Sequence, residues 1–378
     1  MDFSYSEDQE AVGELIGQIL EDRCSLERSK EVEATDAWFD EDLWQELAKA
    51  SLAGLTIPEE FGGSGFGLIE ACLALEAVGR HCAPVPLLSH LIQGAMPIAR
   101  FGSQDQKRRW LVPAAESGAV LTAAFAEVGL SNPAHPRVTA TPDGDGWRLQ
   151  GEKTNVPAAS PASAILVPAS TGEKSVAVFI VEPGAEGVEI DLQRTISWER
   201  QGRMRLVGVR VGADAVLGDP GAGREIVDWT VDRAQVGIAA TMVGIAHEAT
   251  RRTAAYLSER KQFGRPLGSF QATQMRLADA FIDAEAIRAV VTQAAWRVEE
   301  GLRARAEVRS AKWWACRAGD RVVHSAQHLH GGIGSDADYP IHRYFLAAKQ
   351  LMATLGGPNQ QLAELGAMLV SDDERPIL

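Results

Sequence analysis

The most informative stretch of the sequence for fold and function is Arg260-Lys261-Gln262-Phe263-Gly264-Arg265-Pro266. It combines three cationic side chains and an amide with a glycine turn. Two further glycine turns follow it, Leu329-His330-Gly331-Gly332-Ile333-Gly334 and Leu355-Gly356-Gly357-Pro358-Asn359-Gln360. Backbone N–H groups, arginine and amide side chains at such turns can hold a phosphate-bearing cofactor. Taken singly, however, each turn is also typical of the glycine cap that ends a helix, and the residues alone favour that simpler interpretation.

The three turns belong to the last of three regions that differ in their residue pattern. Residues 1–117 repeat apolar side chains at helical spacing, after a Ser6–Gln9 pair that resembles a capping box. Residues 118–216 hold short β-prone runs separated by Pro, Gly and Asp. Residues 217–378 return to long amphipathic helices. Because helices and strands are segregated along the chain, we predict an α+β fold with three domains at these bounds.

Composition and charge exclude several classes of protein. The 378 residues carry 37 Lys and Arg against 51 Asp and Glu, a net charge of −14, so a polyanion is repelled and we expect no nucleic-acid partner. The hydrophobic share of 46% is that of a folded globular protein, and we find no run of ~18 to 20 apolar residues that would span a membrane. The four cysteines form no CxxC pair and the acidic N-terminus has no secretion signal, so we expect a cytoplasmic protein.

Common catalytic and metal-binding motifs are missing from the sequence. There is no GxGxxG after a strand, no phosphate loop, no HExxH and no GxSxG. His324, His328, His330 and His342 lie close together, but no carboxylate or cysteine at ligand spacing completes a set, so we expect no metal site. We interpret His342 as the end of a helix.

The order of the motifs, and not any one of them, gives the sequence a resemblance. RKQFGRPLGSFQATQMRLAD begins at Arg260, LHGGIG at Leu329 and YPIHRYFLAAKQ at Tyr339, while IPEEFGGSGFG begins at Ile57 and LQGEKTNV at Leu149. Together with the α, β, α order, these strings resemble the acyl-CoA dehydrogenase family of flavoproteins over essentially the whole chain. The resemblance implies N-terminal helices, a middle β barrel, a C-terminal four-helix bundle and FAD bound between subunits.

The same resemblance assigns roles to individual residues. The resemblance implies three groups of contacts to FAD. They come from the segment that holds the pyrophosphate and adenosine, from an amide on the following helix, and from the glycine turn at which the cofactor approaches the backbone closely. These cofactor residues are Arg260, Gln262, Phe263, Gln271, His328, Gly331, Gly332 and Gln360. Contacts to substrate and flavin fall on Arg233, Glu127 and Ser131, and Lys153-Thr154-Asn155 matches a contact to the flavin ring. An arginine suits a diphosphate, and only glycine lets a backbone approach so closely.

The residue that matches the family's catalytic base is Gly356. The family removes an α-proton with a carboxylate while the β-hydrogen leaves as hydride to the flavin, and the base of most members is a Glu in a Tyr-Glu-Gly-Thr string. Here that string reads Leu355-Gly356-Gly357-Pro358, and Gly356 has no group that takes a proton. A branch of the family places its Glu before an Arg on the first long C-terminal helix, where this chain has Asp232 before Arg233.

Asp232 is therefore the candidate base, with two interpretations open. Its carboxylate is one methylene short of a Glu, about 1.5 Å, and a misplacement of ~1 Å can cost ~10²-fold in rate. The other interpretation is that Asp232 lies in an early turn of a helix that begins near Gly223, where the helix dipole favours acidic residues, or pairs with an arginine. The chain also departs from the family at three positions that usually contact the cofactor. Ala126 stands where the family has a Thr, His328 where it has an amide side chain, and Pro358 where it has a Thr.

Three functions follow from these departures. The first is a subunit that contributes flavin site and interface to a homologous catalytic partner in an α2β2 enzyme. The departures resemble the partner subunits of heteromeric acyl-CoA dehydrogenases in actinobacterial steroid side-chain degradation, so the substrate is then a bulky or steroid side-chain acyl-CoA and the acceptor an electron-transfer flavoprotein. The second is a self-sufficient homo-oligomer with Asp232 as base. The third is a flavin-free acyl-CoA-binding protein of the same fold.

Overall fold

The computed structural model describes residues 3–36, 38–197 and 199–370 of the chain. The helices before the sheet are α1 (Glu7–Arg23), α2 (Leu26–Ala34), α3 (Glu41–Lys49), α4 (Leu68–His81), α5 (Met96–Phe101) and α6 (Gln104–Ser117), with a π-helical turn at Ser89–Ala95. The strands of the middle region are β1 (Val120–Ala123), β2 (Thr139–Asp143), β3 (Gly146–Val156), β4 (Ala162–Gly172), β5 (Ser175–Val181), β6 (Val188–Arg194), β7 (Arg200–Gly212) and β8 (Val216–Leu217). The C-terminal elements are α7 (Gly223–Glu259), β9 (Lys261–Gln262), β10 (Arg265–Pro266), α8 (Gln271–Glu299), α9 (Arg305–His330), α10 (Ile341–Ala353) and α11 (Pro358–Val370). The predicted order of helices, strands and long helices is confirmed.

Local sequence signals account for where several helices begin. The Ser6 hydroxyl accepts the Gln9 N–H at 3.3 Å and the Gln9 side chain accepts the Ser6 N–H at 3.0 Å, so the predicted capping box starts α1. Pro340 precedes α10, and its fixed φ suits a helix start. His342 therefore lies in the first turn of α10, and its interpretation as a helix end was wrong.

The described elements form two compact units. Of the described residues, 3–30, Cys72–Ala83 and 235–370 make up the first unit, and those within Glu31–Ala71 and Pro84–Ala234 make up the second. Each unit draws on more than one of the three sequence regions, so the predicted domain bounds after residues 117 and 216 stay a proposal.

The second unit is built on one eight-stranded sheet. Its strand order is β6-β7-β3-β2-β4-β5-β8, with β1 beside β4, and the β1–β4 and β2–β4 pairs are parallel while the others are antiparallel. Side chains alternate along each strand, so Ile165 and Val167 of β4, Ala177 and Phe179 of β5 and Leu206 of β7 enter one buried cluster. The middle β region is therefore present, with β6 and β8 as the outer strands of the pairing order.

The first unit is a bundle of long helices in which α9 packs against α8, α10 and α11. Glycines bring α4 and α7 into backbone contact. A Cβ at Gly244 would lie 1.9 Å from the Glu76 carbonyl oxygen, and one at Gly79 would lie 2.0 Å from that of Thr241. Because no side chain fits at either point, these glycines set the spacing of the two helices. Among the described residues, no helix is both long and apolar enough to cross a membrane.

His90 connects three segments of the second unit from inside the π-helical turn. Its ring is fully buried, with Nε2 at 2.9 Å from the Ala53 carbonyl oxygen and Nδ1 at 3.1 Å from the Leu121 N–H. Nδ1 accepts this N–H and so carries no proton, which makes Nε2–H the donor to Ala53. Burial lowers the pKa of His90 to about 4, because the charged ring would lose its hydration.

We predict that His90 makes the free energy of unfolding fall as the pH drops from about 6.5 to about 4. In that range the unfolded chain binds a proton at this residue and the folded chain does not, so stability is full above about pH 6.5 and decreases by at most about 1.4 kcal/mol per pH unit below it. Denaturant unfolding of the wild type and of His90→Gln at a series of pH values measures the difference. Parallel pH profiles of the two proteins would contradict the prediction.

Candidate functional site

The Arg260 segment forms a β-hairpin and not the end of a helix. β9 and β10 pair antiparallel with Arg265 opposite Gln262, and the two residues between them have positive φ, 54° for Phe263 and 79° for Gly264. Two consecutive positive φ values are typical of a type I′ turn. The Leu267 N–H donates to the Arg260 carbonyl at 2.8 Å, so the hairpin leads into α8. The glycine-cap interpretation was wrong for this turn.

The hairpin presents donors and positive charge at the start of α8. Arg260, Lys261 and Gln262 are exposed, and Gln271 is the exposed first residue of α8, where the helix dipole is positive. The Arg265 guanidinium lies 4.0 Å above the Phe270 ring, which orients it. In charge and in hydrogen-bond donors, these residues fit the pyrophosphate of FAD.

The turn after α9 leaves open space at its two leading glycines. Gly331 has φ 66° and ψ −144°, a conformation open to glycine. A Cβ at Gly331 or Gly332 would meet no atom within 4 Å, and both residues are exposed. His328 is exposed on the last turn of α9, whereas His330 is buried and stacks on Tyr256 at 4.5 Å. The two glycines therefore fit a close approach by a flat cofactor, with His328 on the exposed side.

His324 and His330 bond to backbone carbonyls of their own helix. Nδ1 of His324 lies 2.9 Å from the Asp320 carbonyl oxygen, and Nδ1 of His330 lies 2.7 Å from that of Ala326. Across residues 3–36, 38–197 and 199–370, no three His, Cys, Asp or Glu side chains form a group that could hold a metal ion. The absence of a metal stays a prediction.

Glu127 lies in the interior of the second unit, where its carboxylate is used by the fold. It accepts the N–H groups of Arg137 and Val138 at 2.8 and 3.2 Å and the Lys153 ammonium at 2.7 Å. Lys153 is fully buried, and burial lowers its pKa to about 8 although Glu127 opposes the shift. Ser131, the other predicted contact in this segment, lies on an exposed turn. Of the two, only Ser131 presents its side chain to solvent.

Backbone hydrogen bonding joins the two segments that the family resemblance places at the flavin ring. The Thr154 N–H donates to the Ala126 carbonyl at 2.9 Å, so residues 125–127 lie beside residues 153–155. Asn155 has φ 50°, and its amide donates to Gln201 Oε1 at 3.2 Å. The sequence identified these segments separately, and the structure brings them together.

Asp232 and Arg233 lie on the part of α7 that belongs to the second unit. Asp232 is the tenth residue of the helix, beyond the first turn to which the dipole effect is confined, so the dipole does not explain it. The Arg233 guanidinium lies 3.7 Å from the centre of the Trp229 ring and donates to the Trp229 carbonyl at 3.2 Å. Phe101 packs edge-on against Trp229 at 5.3 Å, so an aromatic pair orients Arg233.

Gly356 lies in the turn between α10 and α11, where Leu355 has φ 52° and Gly356 has φ 97°. Gln235 Nε2 donates to the Leu355 carbonyl at 2.9 Å. Gln360, predicted to contact the cofactor, donates from its amide to Glu364 at 3.2 Å within α11. Two successive left-handed residues therefore shape the position that matches the family's base.

Three residues that shape this turn were not predicted from the sequence: Gln235, Arg309 and Lys312. All three are buried, and the Lys312 ammonium donates to the Leu351 carbonyl at 2.8 Å, while burial lowers the pKa of Lys312. These residues could have been recognised in the sequence as polar side chains at helical core positions that are otherwise occupied by Ala, Val and Gly. Gln235, for example, stands at the start of the most apolar stretch of the sequence.

Two family models match the chain. "Acyl-CoA dehydrogenase, N-terminal domain" matches residues 6–118, and "Acyl-CoA dehydrogenase, C-terminal domain" matches residues 221–370. The chain is also 38% identical over 378 residues to acyl-CoA dehydrogenase FadE27 of Mycobacterium tuberculosis, a match that covers 98% of this chain and 99% of the relative.

Two solved structures are similar to this chain over nearly its whole length. The "Tcur3481-Tcur3483 steroid ACAD G363A variant" is 42% identical with a TM-score of 0.90, covering 96% of this chain and 98% of that one. A chain of the "ChsE4-ChsE5 complex from Mycobacterium tuberculosis" is 38% identical with a TM-score of 0.92, covering 100% of both. The predicted fold and the resemblance read from the motifs are confirmed.

We predict that Glu127→Ala destabilises the protein by about 3–5 kcal/mol, because it leaves the Lys153 ammonium buried without its carboxylate. Urea unfolding gives the free energy. The matched control is Glu152→Ala, at the residue that precedes Lys153 on β3. Glu152 pairs with Arg203 where solvent reaches both side chains, so that ion pair contributes little to stability. Equal losses in the two variants would show that burial of the pair is unimportant.

Proposed function

Because the chain belongs to the acyl-CoA dehydrogenase family, we propose that it is a subunit of an FAD-dependent enzyme that introduces an α,β double bond into a CoA thioester, with a homologous partner subunit supplying the base. The observation that carries the proposal is Gly356. It stands where the family resemblance places the catalytic carboxylate, and its positive φ favours glycine over any residue that has a side chain. Without a carboxylate at that position, the α-proton has no acceptor there.

The flavin side of the proposal is supported by the residues of the helical unit. Arg260 and Gln262 would hold the pyrophosphate and adenosine part of FAD, with Gln271 at the start of α8, while Gly331 and Gly332 leave space for a close approach. When bound, FAD accepts the β-hydrogen of the substrate as hydride. The chain's own part is to hold and orient the cofactor.

The exposed face of α8 supports a protein partner. Met275 and Ile282 lie seven residues apart on one face and are 62% and 63% exposed, and Phe281 beside them is 55% exposed. Arg276 and the ion pair of Arg321 with Asp283 border them, as charged groups border the apolar centre of an interface. We commit to a homologous dehydrogenase chain as the occupant, because one of the similar structures is a complex of two ChsE proteins.

The substrate class follows from the same relatives. Similarity to the steroid ACAD Tcur3481-Tcur3483 favours a bulky or steroid side-chain acyl-CoA for this chain. On this proposal the enzyme works in the cytoplasm as an α2β2 assembly, and electron-transfer flavoprotein reoxidises its flavin. Arg233, which Trp229 orients, then contacts the CoA portion.

Co-expression with a homologous acyl-CoA dehydrogenase that carries the family's Glu tests the proposal. We expect a yellow complex of two kinds of chain, with fewer flavins than chains by absorption and subunit stoichiometry. Arg260→Ala lowers the flavin content because a cation at the pyrophosphate is lost, whereas Arg108→Ala, an exposed arginine of α6, leaves it unchanged. A colourless protein, or a homo-oligomer with one flavin per chain, would contradict the proposal.

A self-sufficient enzyme with Asp232 as base is the second candidate. It is favoured by a carboxylate that directly precedes the oriented Arg233 on α7. This candidate predicts that acyl-CoA bleaches the flavin of the homo-oligomer and that Asp232→Asn abolishes the bleaching while flavin stays bound. Bleaching that survives the substitution eliminates Asp232 as the base.

A further inference from the structure

A series of buried and partly buried hydrogen bonds runs from α11 to the turn at Gly356. Glu364 accepts from Arg309 Nε at 2.5 Å, Arg309 Nη1 donates to Gln235 Oε1 at 2.5 Å, and Gln235 Nε2 donates to the Leu355 carbonyl at 2.9 Å. Arg309 is 4% exposed and Gln235 is 2% exposed, so the bond between them forms away from water, where it is stronger, while Glu364 is partly exposed. The network fixes the Leu355 carbonyl and, with it, the left-handed conformation of that residue.

Lys312 fixes the chain on the other side of the same turn. Its ammonium donates to the Leu351 carbonyl in the last turn of α10. A cation at a helix C-terminus stabilises carbonyl groups that have no partner within the helix. The direction in which the chain enters the turn is therefore set before Leu355.

Gln361 occupies the space beside Gly356. Its side chain is fully buried, with Nε2 at 3.4 Å from the Gly356 carbonyl oxygen and Oε1 without a hydrogen-bond partner. A Cβ at position 356 would lie 2.6 Å from Gln361 Nε2, closer than real Cβ atoms approach, and 3.0 Å from Gln360 Oε1. Any side chain at 356 must therefore displace the Gln361 amide and also adopt a φ of 97°, which is strained for every residue except glycine.

We propose that Gln361 is a positioning residue that keeps position 356 without a side chain, so that the lack of a base is built into the packing of the turn. The inference rests on the proposed function, in which position 356 corresponds to the base of a catalytic subunit. Restoring a carboxylate then takes two changes, a Glu at 356 and a smaller residue at 361. Arg309 and Lys312 hold the rest of the turn in both cases.

A double-mutant cycle in thermal unfolding tests the packing. Gly356→Ala lowers the melting temperature by several degrees, because its Cβ meets the Gln361 amide. Gln361→Ala lowers it in the wild-type background, where a buried side chain is lost, but raises it in the Gly356→Ala background, where the clash is relieved. Gly366→Ala is the matched control on α11, with open space around its Cβ, and leaves the melting temperature equal or higher. Additive effects of the two substitutions would overturn the proposal.

The effect on catalysis is measured in the complex with the partner dehydrogenase. The partner's own catalytic base is replaced, so that bleaching of the flavin by acyl-CoA depends on a base from this chain. Gly356→Glu alone bleaches no faster than the parent complex, whereas Gly356→Glu with Gln361→Ala bleaches at least tenfold faster. Equal rates in the single and double variants overturn the role of Gln361. If the complex contains no flavin, the proposed function is contradicted. The double-mutant cycle in thermal unfolding needs no cofactor and still tests the role of Gln361.

Discussion

Buried cations that need partners inside the protein set the geometry of both compact units. Lys153 is fully buried and pairs with Glu127, which in turn holds two backbone N–H groups near the segment assigned to the flavin ring. In the helical unit, Arg309 and Lys312 bond to Gln235 and to the end of α10, on either side of the turn at residues 355–357. A buried charge without a partner is strongly destabilising, so these contacts fix the backbone where the family resemblance places chemistry.

The parts of the fold that depend on local sequence, namely the spacing of apolar residues and the helix caps, were predictable. Helical and β-prone periodicities gave the correct order of elements, and the capping box at Ser6 gave the start of α1. The hairpin at Phe263 was not predictable, because a type I′ turn is normally signalled by Asn-Gly and an aromatic residue at positive φ gives no such signal. The contact of Gly244 with Glu76 also depends on two helices distant in sequence.

The sequence indicated which residues correspond to the family's site, but not how their side chains are oriented. Arg260, Gln262, Gly331 and Gly332 are exposed or border open space, as a cofactor contact requires. Glu127 has a matching position, yet its carboxylate points into the interior, a fact that only the three-dimensional neighbours Arg137, Val138 and Lys153 reveal. Gly356 marked in the sequence a position without the family's carboxylate, whereas the crowding of that position by Gln361 depends on side-chain packing in the folded turn.

If this chain has no catalytic base of its own, the purified chain without a partner cannot turn over substrate, and an activity assay of that chain measures this. The chain is supplied with FAD, an artificial electron acceptor and acyl-CoA substrates ranging from short chains to steroid side chains. We predict no turnover above the rate without protein, while the complex with the partner dehydrogenase turns over the bulky substrates. Turnover by the chain alone would contradict the account.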